Sequence, residues 1–153
     1  MTTTERAPEG PRRSVAAVTG FRRMRAPVGW GVVVGGVQAA APLAFFWLSP
    51  STVYALGLAL IAAIYIGFAV ADGRRHVLAV ETLVASPFVV VAAAAATGSG
   101  WLVVAGLAAH GIKDAWQHRT RFVAGTRWWP PFCATVDWVA ALLITLAMVS
   151  GVS

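Results

Sequence analysis

Residues 52–72 read TVYALGLALIAAIYIGFAVAD, an apolar run that meets its first charge at its last residue. At a rise of about 1.5 Å per residue, some twenty such residues cross the ~30 Å hydrocarbon core of a bilayer as a helix. A barrel strand would alternate polar and apolar side chains, and this run does not. Similar runs recur on both sides of it. The pattern predicts an all-α, polytopic membrane bundle of five transmembrane helices, over about residues 27–48, 52–72, 76–97, 101–118 and 132–152.

Composition agrees with that reading. The chain is 58% hydrophobic and only 12% charged, with a mean hydropathy of +0.72. A soluble domain carries about 25% charge. The breaks between runs have turn chemistry. Ser49-Pro50-Ser51-Thr52 caps the second helix, and Asp72-Gly73-Arg74-Arg75 forms a tight polar connection. Thr97-Gly98-Ser99-Gly100 makes the third turn, and a basic, aromatic segment ending in Trp128-Trp129-Pro130-Pro131 makes the fourth. Pro27 suits a first helical turn, and Pro42 is expected to kink the first helix. Gly31 and Gly35 form a G-x-x-x-G that admits a close neighbour, including a second copy of the chain in a homo-oligomer.

Residues 1–26 are rich in Thr, Pro, Gly, Ser and Arg, and read as a flexible basic cytoplasmic tail. The region is long and polar and lacks a small-residue cleavage site, so the first apolar helix reads as an uncleaved anchor.

The net charge of +6 is distributed as topogenic charge, not as a nucleic-acid surface. Arg6, Arg12, Arg13, Arg22, Arg23 and Arg25 precede the first apolar run. Arg74 and Arg75 lie in the second connection, and Arg119, Arg121 and Arg127 in the fourth. The first and third connections carry no Lys or Arg. With five helices, all the basic connections fall on one side, which places the N-terminus in and the C-terminus out. Trp30, Trp116, Trp128, Trp129 and Trp138 fall near the inner interface, and Trp47, Tyr54 and Trp101 near the outer one. The expected location is the cell (plasma or inner) membrane, as a multi-pass protein. The expected partners are the lipid bilayer, with anionic lipid at the basic tail, and no nucleic acid.

Against this apolar background, residues 110–137 read HGIKDAWQHRTRFVAGTRWWPPFCATVD. Ionisable groups at membrane depth cost about 2.5–3.5 kcal/mol each on insertion scales, so a cluster of them marks a candidate functional site. His110, Asp114 and His118 recur at i, i+4 and i+8, a stripe along one helix. Two imidazoles and a carboxylate suit a divalent transition metal, zinc or iron, and these three are the candidate metal ligands. Glu81 and Asp137, from neighbouring helices, are candidates for a further ligand or the general base. Lys113 is the one cation within the group. All of these fall in the cytoplasmic half of their helices. Plainer roles compete: His118, near Arg121, reads equally as an interfacial residue facing water, and Lys113 as a snorkelling side chain. Cys133, the single cysteine, excludes an intrachain disulfide and reads as a small apolar helix residue.

The H-x3-D-x3-H of His110, Asp114 and His118, followed by Trp129-Pro130-Pro131-Phe132-Cys133 and Asp137, resembles small, uncharacterised bacterial integral membrane proteins. The resemblance covers about the last third of the chain and implies no particular activity. Membrane desaturases and hydroxylases are similar in placing histidine-rich metal sites on the cytoplasmic side. This chain departs from them in having three histidines. No Walker loop, nucleophile elbow or H-E-x-x-H is present. The sequence therefore leaves three functions open: a metal-dependent membrane enzyme acting on a lipid or apolar substrate, a non-catalytic accessory subunit, and a small proton- or ion-coupled transporter.

Overall fold

The computed structural model describes residues 12–151, with side chains from residue 24 onward. Five α-helices follow one another: α1 Arg12–Ala40, α2 Pro50–Asp72, α3 Arg75–Thr97, α4 Gly100–Thr120 and α5 Trp129–Val149. There is no strand among the described residues. Four segments are long and apolar enough to cross a membrane: Met24–Ala44, Pro50–Asp72, Arg75–Thr97 and Trp129–Val149. These mark the chain as a membrane protein. α4 has the length but carries His110, Lys113, Asp114, Gln117, His118 and Arg119, and falls short in hydropathy.

The helix ends follow local chemistry. Ser49 caps α2 by accepting the Thr52 N–H at 3.2 Å, with Pro50 at the first helical position. Gly73, at φ 79°, ends α2 in the left-handed conformation that glycine adopts without a Cβ clash. Ser99 caps α4 by accepting from the Trp101 N–H.

The first helix differs most from expectation. It begins at Arg12, not near residue 27, because residues 12–26 contain no proline and many helix formers. Pro27 therefore lies inside the helix. Residues 1–11 of the expected tail lie outside the described residues, as do the side chains of Arg12, Arg13, Arg22 and Arg23. At the other end, Pro42 does not merely kink α1. The helix stops at Ala40 and passes into a 3-10 turn, Ala41–Leu43, since proline offers no N–H to continue the α ladder.

α4 is the central element, packing on α5, α3 and α2, while α1 lies almost wholly against α5 and barely touches α2. Pro27, Gly31 and Gly35 make one buried stripe along α1. A Cβ on Gly31 would come within 2.6 Å of Thr135 Cβ, and one on Gly35 within 2.8 Å of the Val136 carbonyl. The glycine seam thus admits α5 of the same chain.

Two small cores fill the bundle. One gathers Tyr54, Leu58, Leu107, Val136 and Ile144, and the other Tyr65, Ala69, Val77, Val123 and Cys133. Cys133 is buried and packs as an apolar side chain. Tyr54, expected in an interfacial belt, is buried and donates to the Ala39 carbonyl at 2.9 Å. The α2–α3 turn and the α4–α5 loop meet at one end of the bundle. There the Asp72 carboxylate accepts from Arg74 and from the Ala124 N–H at 2.7 Å, and Arg74 also donates to the Phe122 carbonyl at 2.8 Å.

Candidate functional site

Three helices bring ionisable groups to one buried place. His110 stands ten residues from either end of α4, so its imidazole lies midway along a helix about 30 Å long. Asp114 lies one turn further along α4. Asp137, eight residues into α5, faces them from about 12 Å inside that helix. His110 Nδ1 is 2.8 Å from Asp137 Oδ2 and 3.5 Å from Asp114 Oδ2. Both carboxylates are 0% exposed and His110 is 1% exposed. The His110 ring is held edge-on by Phe88 of α3, with centroids 4.9 Å apart. Neither Asp114 oxygen, nor Asp137 Oδ1, has a hydrogen-bond partner among the described residues.

One ligand atom from each of His110, Asp114 and Asp137 lies within 4.8 Å of the others, so this buried group could hold a metal ion. Ligands about 2.1 Å from a tetrahedral metal stand roughly 3.4 Å from one another, so small side-chain adjustments would close the set. One imidazole nitrogen and two carboxylates form a harder donor set than the expected pair of histidines.

His118 is not brought to this group. Eight residues advance a helix by 800°, which leaves His118 about 80° around from His110 and roughly 12 Å along the axis. It is exposed, beside the α4–α5 loop. Seven residues return almost to the starting face, and that position holds Gln117, which is 1% exposed. The signal for Gln117 was its spacing, i+7 from His110. An uncharged residue carries little of the insertion cost that marks a charged one, so it does not stand out beside two histidines.

Glu81 is also held apart from the imidazole. Gln117 Nε2 donates to Glu81 Oε1, and Lys113 Nζ lies 3.0 Å from Glu81 Oε2. Lys113 Nζ also sits 3.3 Å over the Tyr65 ring and 3.9 Å from Asp114 Oδ1. Lys113 does not snorkel to the surface. It turns inward, where an aromatic face and carboxylates replace its water. Tyr65, fully buried on α2, was missed as a neighbour because nothing in an apolar run distinguishes a tyrosine that faces a cation. The cluster therefore has two parts joined by Asp114: a His110–Asp137 pair at mid-helix, and a Lys113–Glu81–Gln117 network nearer the α4–α5 loop.

An apolar groove of about 310 Å³ runs between α1 and α2, floored by α5. Val34, Val37, Leu60, Ile64 and Val136 line it, and Cys133 and Asp137 lie on its wall. It exists because α1 leans on α5 and leaves α2. Asp137 thus borders both the buried group and the groove.

Fold and site together define an all-helical membrane protein with a buried His/Asp group. No protein-family model, curated protein or solved structure matches the chain.

Proposed function

We propose that this is a five-span cell-membrane protein, N-terminus in and C-terminus out, that binds a divalent transition metal and acts on a lipid or other apolar substrate. Its metal site is His110, Asp114 and Asp137. One observation carries the metal reading: two fully buried carboxylates converge on one imidazole, and Asp114 has no hydrogen-bond partner among the described residues. Glu81, Asp114 and Asp137 bring three negative charges to the interior. Lys113 supplies one positive charge. A divalent cation would bring the sum to zero and supply the missing partners for Asp114 and Asp137.

Zinc or iron suits the imidazole, and the second carboxylate extends the choice to manganese. Such an ion polarises a carbonyl or phosphoryl oxygen, or lowers the pKa of a bound water. Within that chemistry Asp137, which borders the groove with its carboxylate buried, would act as ligand or base. Glu81 fixes Lys113, and Lys113 holds Asp114 in place. The groove supports an apolar substrate, because its lining is apolar apart from Gln38 and Asp137. The orientation is supported by Arg74, Arg75, Arg119, Arg121 and Arg127, which share one end of the bundle. α4 then spans as the most polar helix, shielded by α2, α3 and α5.

A second reading, a non-catalytic accessory subunit, is favoured by the Lys113–Glu81–Gln117 network, which ties α3 to α4 without any ligand. Elemental mass spectrometry of the detergent-purified protein separates the two. The proposal expects near-stoichiometric metal in the wild type, or after reconstitution, and its loss in His110→Ala and Asp137→Asn variants that keep their helical spectrum. Metal-free protein that also resists reconstitution favours the accessory reading.

A further inference from the structure

Apart from the buried group, a cavity of about 230 Å³ opens where α4 gives way to α5. His118, Arg121 and Arg127 line it, with Gln117 and Thr126 on the same wall. No carboxylate is among its lining residues. Asp72, which accepts from the Ala124 N–H of this loop, is already paired with Arg74. The cavity is therefore cationic without local compensation. Gln117 lines it too, but its amide is turned to Glu81, so the arginines supply the cavity's charge.

Arg121 has a distinct backbone. It ends α4 at φ 52° and ψ 39°, the only non-glycine residue with positive φ among those described. That left-handed position favours glycine, which ends helices there most often. Glycine would close the helix with less strain, yet the chain carries an arginine here, and it lines the cavity. Trp116, Trp128 and Trp129 lie exposed around the same end, the placement of aromatic rings at headgroup level.

We propose that this cavity binds the phosphate-bearing headgroup of an anionic membrane lipid. The guanidinium groups of Arg121 and Arg127 meet the phosphate oxygens, with the charge-assisted pairing arginine makes to phosphate. The interfacial position selects a lipid over free phosphate, because the cavity opens where headgroups are concentrated.

Native mass spectrometry of the full chain in mild detergent tests this, with phosphatidylglycerol, phosphatidylcholine and inorganic phosphate as probes. The wild type is expected to retain one phosphatidylglycerol, about tenfold more tightly than phosphatidylcholine, with no displacement by equimolar inorganic phosphate. Arg121→Gly relieves the backbone and keeps the fold, so it isolates the side chain. That variant, and Arg127→Gln independently, should weaken phosphatidylglycerol about tenfold while the tail arginines remain unchanged. Retention equal to wild type in both variants overturns the proposal. So does equal binding of the two lipids, or displacement of the lipid by inorganic phosphate. Metal content plays no part in any of these outcomes.

Discussion

Replacing Lys113 by methionine is the most informative single perturbation of the buried network. Its ammonium lies 3.0 Å from Glu81 Oε2, 3.9 Å from Asp114 Oδ1 and 3.3 Å over the Tyr65 ring. At an effective dielectric near 20, the gross attraction across 3.0 Å is about 5 kcal/mol. Desolvation offsets most of it, so the pair adds little over an apolar pair of the same shape. Removing one partner is different, because Glu81 is then stranded at 1% exposure. Lys113→Met should therefore cost about 3–5 kcal/mol of stability. Adding Glu81→Gln removes the stranded charge while Gln117 keeps a neighbour, and the double variant should recover about 2–3 kcal/mol of that loss. Unfolding in mixed detergent micelles, followed by circular dichroism against the fraction of denaturing detergent, reads both numbers. The reasoning fails if Lys113→Met lies within 1 kcal/mol of wild type. It fails equally if the two substitutions simply add.

Three further outcomes follow from particular contacts. Gly35→Leu drives a side chain into Val139 and the Val136 carbonyl, and should cost about 1–3 kcal/mol in the same assay. Gly67→Ala, inside α2 with nothing within 4 Å of the added methyl, should stabilise by about 0.5–1 kcal/mol, and a loss there would contradict the packing described. Asp72→Asn weakens the link between the α2–α3 turn and the α4–α5 loop. Hydrogen exchange should then show faster labelling at Ala124, with amides in the middle of α5 unchanged.

Much of the helical layout was legible in the sequence, because hydrophobic length is a strong local signal. The ends of α2 to α5 fall within about three residues of the positions read from turn residues and apolar runs. The first helix was not, because residues 12–26 are polar enough to read as a tail yet able to extend a helix. The site was half legible. His110, Asp114 and Asp137 stood out because charge in an apolar run is costly, and the structure buries the three side by side. His118 was misplaced by counting in fours, since a 3.6-residue period returns at seven and not at eight. Tyr65 and Gln117 carry no charge, and only the packing of α2, α3 and α4 shows that they face Lys113 and Glu81. The glycine stripe announced a close helix contact, but pattern alone does not say whether the neighbour is α5 or a second chain.

The central claim is that one imidazole and two carboxylates form a metal site inside the bundle. X-ray absorption spectroscopy of the zinc-loaded protein reads that ligand set directly. The account predicts a first shell of nitrogen and oxygen alone near 2.0–2.2 Å, with outer-shell scattering from a single imidazole that vanishes in His110→Ala. A sulfur ligand near 2.3 Å, from Cys133, or a spectrum unchanged by His110→Ala, would contradict it.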